Sequence, residues 1–521
     1  MDSIEEKSLT QSRFQLGTPL VLPLAMLLIV IIISVAFVLY ATAHGVGITP
    51  DSVSYASSAQ SFASSFSFTQ FDGLPLTLFP PGFPAVLGVF LALGLSFQFT
   101  AVFVSVLALV ALLIFTFAVG RGLSRSMWRG AFAAAFVGLS SSTVFIGATV
   151  WSEGVFCAGV MGVLWVLVSA IHSQTLSRSR ITLLVILSAM VLSSRYTGIV
   201  IIPIIFVGVF WSQPKGTVRR SLIFSFCVTG LCSIIELSII LRNLLLGAGV
   251  FGARYPAEFT WTGMLHDVLL TLGGYVSTTF PSFWIQAIGV AIILAMVLAT
   301  VRAKSQHYNT TLLLALFVLL YWIALVYGQI STRVDHISFR LVAPALASMV
   351  LLVFSAFRLP HARHHHGSPN TRVAILTLEG ALLALAGWII IGGAIFTNSV
   401  ASNYSEMGIG YNRQSFLNSP LASVIAKLPP TAGVAAYDAE GLYWPSKHVP
   451  IVMLPIENYY CSSQCVADQQ SEFLQDVANG SVTYYAYQGA GMTPKQIEQL
   501  GVHLSVDVTV ADGTLYRITR G

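Results

Sequence analysis

The sequence predicts an all-α polytopic membrane protein of about 11 transmembrane helices plus a re-entrant or juxtamembrane helix, followed by a small C-terminal extracytoplasmic α/β domain. Three observations predict it. Of 521 residues, 55% are hydrophobic and 9% charged, whereas a soluble domain carries about a quarter charged residues. Uninterrupted apolar runs at 21–40, 101–120 and 373–396 match the roughly 20 helical residues that cross a hydrocarbon core. Lys and Arg gather in short connections between such runs, as in loops kept on the cytoplasmic side.

The first apolar run ends in Ala41-Thr42-Ala43, which resembles a signal-peptidase site. The run exceeds the roughly 7–15 residues of a signal h-region, so it reads as an uncleaved first helix with the N-terminus in the cytoplasm. Five basic groups are placed inside: Arg121, Arg125 and Arg129; Arg178 and Arg180; Lys215, Arg219 and Arg220; Arg302 and Lys304; and Arg358, Arg363 and Arg372. The segment 44–81 contains Asp51 and Asp72 but no Lys or Arg, and belongs outside. After it, the stretch 82–95 is broken by Pro84 and short for a crossing; counting it as one would put the Arg121 loop on the wrong side.

The expected helices run over 19–42, 99–120, 130–150, 154–171, 181–194, 197–212, 220–241, 283–302, 311–330, 341–358 and 373–397. The fifth and sixth are short and form a hairpin at Ser194-Arg195-Tyr196. Residues 1–397 make a transmembrane module whose first outer loop is 43–98, and 398–521 make a cap outside the membrane. In the cap, 419–428 reads as a short amphipathic helix, and 434–437, 482–487 and 515–518 read as strands. Cys157, Cys227 and Cys232 sit in apolar runs as packing residues, while Cys461 and Cys465 are candidates for a disulfide if the cap is extracytoplasmic. The net charge of +5 is carried by the short connections and speaks of orientation, not of nucleic acid.

Asp51 follows Pro50 at the start of a helix just past the first crossing. It either caps free backbone N–H groups or serves as a general base at the membrane surface. Glu153, in Trp151-Ser152-Glu153, falls on the same side; it either sits in water at a helix end or lines a wet cavity. Arg195, Arg242, Arg254, Arg333 and Arg340 are the basic residues left near the outer leaflet before the last crossing, against the usual bias. A phosphate or pyrophosphate leaving group accounts for them, because guanidinium binds phosphate oxygens through paired hydrogen bonds. Interfacial snorkelling accounts better for Arg254 and Arg333 than for Arg242 or Arg340. His364, His365 and His366 share a basic cytoplasmic loop and read as solvated, and Glu236 and Glu379 lie inside apolar runs. The sequence has no Walker loop, dinucleotide fingerprint, HExxH or nucleophile elbow.

These residues resemble the GT-C glycosyltransferases, within them the relatives of the dolichyl-phosphate-mannose-protein mannosyltransferases. Four pieces carry the likeness: Asp51 with Tyr55 and Ala59, the Pro75-Leu-Thr-Leu-Phe-Pro-Pro-Gly-Phe-Pro84 segment, the Ser152-Glu153 pair, and Arg242-Asn243 with Gly247. The resemblance implies a catalytic acid in the first outer loop and a polyprenyl-phosphate-linked sugar as donor. It also implies inversion at the anomeric carbon, with a glycan, lipid or protein as acceptor. Asp51 becomes the base, with Glu153 a second catalytic acid; Arg242, Arg340 and Arg195 become candidates for the carrier phosphate, and Tyr55, Asp72 and Asn243 for substrate contacts. No clear metal-ligand set is present, so no cofactor is expected, with a divalent metal left open because some members use one. Short loops point to a bacterial plasma membrane. Two other readings stay open: a transporter or flippase of a lipid-linked saccharide, and a non-catalytic assembly subunit whose outer domain binds cell-wall polymer.

Overall fold

The computed structural model describes residues 21–124, 126–214, 216–252, 261–277, 280–302, 308–332, 335–356, 369–448, 451–454 and 463–520. Arg254, Arg333, His364 to His366 and Cys461 lie outside them, as do the side chains of Glu379 and Cys465.

The chain begins with the apolar helix α1 (Val21–Ala41), the short polar α2 (Pro50–Ser65) and the short apolar α3 (Gly82–Ala92). Long α4 (Phe97–Ser124) leads to α5 (Met127–Gly138), α6 (Ser141–Ala148), α7 (Glu153–Ser173) and α8 (Arg178–Ser194). A single 3₁₀ turn, Tyr196–Val200, opens α9 (Ile201–Trp211), followed by α10 (Val218–Cys232), α11 (Ile234–Leu245) and α12 (Trp261–Gly274). Helices α13 (Ser282–Val301), α14 (Tyr308–Ser331), α15 (Phe339–Ala356) and α16 (Pro369–Met407) complete the bundle.

Among the described residues, seven helices are long and apolar enough to cross a membrane, or up to nine if each of two bent pairs forms one span. The expected crossing at 130–150 is one of these pairs, α5 and α6, bent by 59°. Its break falls where Ser140 caps α6 by accepting the Thr143 N–H, a local bond that competes with helix continuation. The expected crossing at 220–241 is α10 and α11, bent by 49°. The expected hairpin is α8 and the 16-residue apolar stretch Tyr196–Trp211, both short of a full span. The 82–95 stretch is an 11-residue helix, as its Pro and length imply. Helix α12 was not expected, and α16 runs ten residues past 397 to Met407, carrying the bundle into the cap.

Close backbone approach holds the centre. Helix α7 packs along α4 and is buried over most of its length, with Phe156, Val160, Met161 and Leu164 inaccessible. Gly82 lets α3 seat on the end of α8: a Cβ there would stand 2.6 Å from the Ser193 carbonyl oxygen.

The C-terminal part adds short α17 (Gln414–Leu417) and α18 (Pro420–Ile425), then β1 (Val434–Ala436), α19 (Ala439–Ser446), β2 (Ile451–Met453), α20 (Ser463–Asn479), β3 (Tyr484–Tyr487), α21 (Pro494–Gln499), β4 (Val502–Val510) and β5 (Gly513–Arg520). The strands form one mixed sheet in the order β2-β1-β3-β5-β4. Strands β2, β1 and β3 run parallel, and β5 is antiparallel to both β3 and β4. Three of the strands fall where sequence patterning expects them. Ala435, Phe473, Tyr485 and Ile497 form the core of one face, while Val434, Leu442 and Tyr443 pack into the same apolar cluster as the bundle.

Three chain segments meet where α1 turns into α2. Gly47 N–H donates to the Ala148 carbonyl at 2.7 Å and the Gly47 carbonyl accepts from Val150 at 3.0 Å. On the other side, Tyr411 N–H donates to the Ile48 carbonyl at 2.7 Å. Gly410 makes this possible: its φ is +59°, and a Cβ would stand 1.9 Å from the Ile48 carbonyl oxygen. A Gly410→Val substitution is expected to destabilise the protein by about 1–3 kcal/mol, read as a lower melting temperature in detergent; an unchanged melting temperature would refute the clamp.

Candidate active site

The clamped turn delivers Asp51 to the first turn of α2, behind Pro50. The N-cap is Thr49, whose side chain makes no capping bond and instead accepts the Trp151 indole N–H at 2.8 Å. Asp51 is therefore free to face across the bundle, where it pairs with the Arg340 guanidinium. Arg340 sits in the first turn of α15 and also pairs with Glu153. The Arg195 Nη1 lies 2.6 Å from the same Glu153 Oε1. Arg340 further approaches Asp335 at 3.6 Å, and its guanidinium carbon stands 3.9 Å from the centre of the Trp151 ring.

Glu153 is fully buried, and Arg340 and Arg195 are 13% and 17% exposed. Burying a carboxylate is costly unless it is paired. Glu153 is compensated by two guanidinium groups and by its place at the N-terminus of α7, where helix N–H groups favour negative charge. Its second oxygen, Oε2, has no hydrogen-bond partner among the described residues. Among the described residues no three of His, Cys, Asp and Glu are grouped as metal ligands would be; the cation shared by Asp51 and Glu153 is Arg340.

The other expected residues lie around this cluster in different roles. Tyr55 is fully buried, its hydroxyl 3.1 Å from Ser152 Oγ and its ring against Phe79 and Phe83. It thereby pins α2 and the Pro-rich segment to the start of α7. Arg242 donates to the Leu76 carbonyl at 2.8 Å, and Tyr196 donates to the Thr77 carbonyl at 2.7 Å. Asn243, buried, donates to the Tyr196 hydroxyl and to the Val250 carbonyl. Arg242 and Asn243 thus hold the segment that floors the site, whereas Arg195 and Arg340 enter the acid cluster itself. Asp72 accepts the Leu74 N–H at 2.9 Å in the loop between α2 and α3, and its burial raises its pKa. The pairing of Cys461 and Cys465 falls outside the described residues.

Three contributors were missed by sequence reasoning. Trp151 and Asp335 sit one or a few residues from chosen positions, and a cation near a Trp is a usable local signal. Glu440 carries no such signal, because it reaches the site through the cap. There Asp438 caps α19 and accepts the Tyr411 hydroxyl at 2.6 Å, Trp444 donates to Asn412, and Asn412 donates to the Val46 carbonyl in the α1–α2 turn. The Tyr443 ring stands 5.2 Å from Phe71 of the α2–α3 loop. Burial of Glu440 in this layer, with Asp438, Asp51 and Asp72 adding negative charge, pushes its pKa up to about 7.

The sequence matches no family profile and no curated protein. Solved structures do match. ArnT from Cupriavidus metallidurans, bound to undecaprenyl phosphate, superposes with a TM-score of 0.60 at 15% identity, over 94% of this chain and 97% of that one. The chain has the GT-C fold. Archaeal oligosaccharyltransferase AglB from Archaeoglobus fulgidus, in complex with an inhibitory peptide and a dolichol-phosphate, gives 0.59 at 14% identity, over 89% and 69%. Arabinofuranosyltransferase AftD from Mycobacteria gives 0.52 at 13%, over 94% of this chain and 41% of its own.

Two outcomes test the cluster. Glu153→Ala leaves two guanidinium groups facing each other without their carboxylate and is expected to cost about 3–5 kcal/mol of stability; a melting temperature equal to the parent's would contradict the buried pairing. For Glu440, a carboxyl whose pKa rises on folding stabilises fully below its ordinary value near 4.5 and loses that contribution as pH climbs through about 7. The parent should therefore lose more melting temperature than Glu440→Gln between about pH 4.5 and 7. Parallel curves for the two proteins would show that Glu440 does not titrate there.

Proposed function

We propose that this protein is an inverting membrane glycosyltransferase that moves a sugar from a polyprenyl-phosphate-linked donor to a hydroxyl of a glycan, lipid or protein acceptor on the extracytoplasmic face. The observation that carries this reading is the single guanidinium of Arg340 held between Asp51 and Glu153 at one end of the helical bundle, beneath the cap. The fold supports it, since ArnT and AglB have been captured with undecaprenyl phosphate and dolichol-phosphate. In this reading the N-terminus is cytoplasmic, the transmembrane module is 1–397, the cap is 398–521, and the membrane is a bacterial plasma membrane. The transferred group is a hexosyl or pentosyl unit.

The chemistry follows from the pairing. Without donor, Arg340 neutralises Asp51. A donor phosphate presents oxygens that compete for the same guanidinium, and a bidentate guanidinium–phosphate contact is among the stronger charged hydrogen-bond arrangements. As Arg340 turns to the phosphate, Asp51 is released as a base. Asp51 then accepts the acceptor's hydroxyl proton while the hydroxyl oxygen forms its bond to the anomeric carbon. The bond from that carbon to the phosphate oxygen breaks on the opposite face, and the lipid phosphate departs with its electron pair. The phosphate needs no acid because it leaves ionised; Arg340, with Arg195 behind it, offsets the growing charge. Glu153 holds both arginines in place, and Arg242 holds the Pro75–Pro84 floor on which the sugar would rest.

The test is transfer from a panel of radiolabelled polyprenyl-phosphate sugars by the full chain in sealed lipid vesicles. Asp51→Asn is expected to lower turnover by about 10²–10⁴-fold with folding and donor binding retained. Arg340→Lys, which keeps the charge but loses the planar fork, is expected to weaken donor binding by about 10–100-fold. Undiminished turnover by Asp51→Asn would remove the base from the mechanism. Lipid-linked sugar crossing the membrane without being consumed would favour a flippase.

A further inference from the structure

At the end of the bundle remote from the acid cluster, α4 and α7 part to leave a cleft of about 450 Å³. Glu153 and His172 mark opposite ends of α7, nineteen residues or about 28 Å apart along a helix. Phe117, Arg121 and Gly122 face the cleft from α4, and Trp165, Ser169 and His172 from α7. On α7 the spacings of four and three residues place the set on a single helix face, and on α4 Phe117 with Arg121 and Ala118 with Gly122 form two adjacent rows at a spacing of four. The lining is graded along that face. Phe117 and Trp165, the latter stacked on Phe115 at 5.5 Å, lie one to two turns deeper than Arg121 and His172. At the mouth Gly122 lets the two helices approach closely: a Cβ there would stand 2.8 Å from Val168 Cγ1 and 3.7 Å from His172 Cε1.

The charge at the rim is positive. Arg121 is joined by Arg180, whose Nη1 donates to the Ser173 hydroxyl at 2.5 Å beside His172 and to the Thr175 carbonyl at 2.9 Å. Two full guanidinium charges outweigh the roughly half negative charge at each of the two helix C-termini that meet here. Among the described residues no carboxylate lines the cleft. On α4 the exposed apolar positions Phe103, Leu107 and Ile114 form a stripe that leads, four and seven residues beyond Ile114, to Ala118 and Arg121. The cleft therefore continues the surface this spanning helix offers to hydrocarbon, and it ends in cations at the depth where a headgroup lies.

We propose that this cleft is a specific site for an anionic phospholipid, with the phosphate on Arg121 and His172 and an acyl chain running inward past Ala118 between Phe117 and Trp165. A soluble anion would use the rim and leave the aromatic depth empty. A zwitterionic lipid would fill the depth but bring its own cation to a rim that already carries two guanidinium groups. The site lies on neither reactant's path in the proposed transfer and stands whether or not that transfer is correct.

Native mass spectrometry of the full chain in detergent, titrated with phosphatidylglycerol, phosphatidylcholine or glycerol 3-phosphate, tests it. The expected result is a retained phosphatidylglycerol molecule bound at least about tenfold more tightly than phosphatidylcholine, with no binding of glycerol 3-phosphate. Arg121→Gln should abolish the preference between the lipids, and Ala118→Trp, which fills the depth without touching the charge, should abolish retention of both. Parent-like melting temperatures show that each variant is folded. Equal retention of the two lipids, binding of glycerol 3-phosphate alone, or folded variants that bind like the parent would each overturn the proposal.

Discussion

The site depends on one buried pairing, the Arg340 guanidinium shared by Asp51 and Glu153. In a mostly apolar bundle an ionised carboxylate is tolerated only beside a cation, so these three residues constrain each other's helices. Asp51 fixes α2, Glu153 the start of α7, and Arg340 the start of α15. Arg195 ties the α8–α9 junction to the same carboxylate. Four elements distant in sequence are thereby held at one end of the bundle by a few charges, and the apolar packing of α4 against α7 supplies the rigid frame around them.

The arginines divide between pairing with carboxylates and supporting the backbone. Arg340 and Arg195 face carboxylates, whereas Arg242 spends a hydrogen bond on the Leu76 carbonyl and, together with Tyr196 and Asn243, immobilises the Pro-rich segment. That segment is rich in proline and poor in regular secondary structure, so its carbonyls need donors from elsewhere. Its Phe79 and Phe83 in turn press on Tyr55, which bonds Ser152. The support therefore runs in a physical chain from α11 to the residue next to Glu153.

The cap is part of the site rather than an appendage. Its linker pairs with the α1–α2 turn through Ile48 and Tyr411, and Asn412 binds both Val46 and Trp444. Helix α19 then sets Glu440 near Asp51 and Asp72, so that acids from the bundle, the α2–α3 loop and the C-terminal part influence one another.

Composition and hydropathy alone determined the membrane bundle, the polar segment after the first apolar helix, the short helix broken by Pro84 and the α/β character of the C-terminal part, because burial in hydrocarbon imposes length and polarity on each segment separately. Asp51, Glu153, Arg195 and Arg340 could be singled out for the same reason: a charge next to an apolar run is costly enough to stand out one residue at a time. Only the tertiary structure decided which charges meet. It sent Arg340 and Arg195 to the acids and Arg242 to a backbone carbonyl, bent two apolar runs that read as straight, and brought in Glu440 from a distant segment. Pairing is a property of distances between segments, and neither periodicity nor local charge pattern carries those distances.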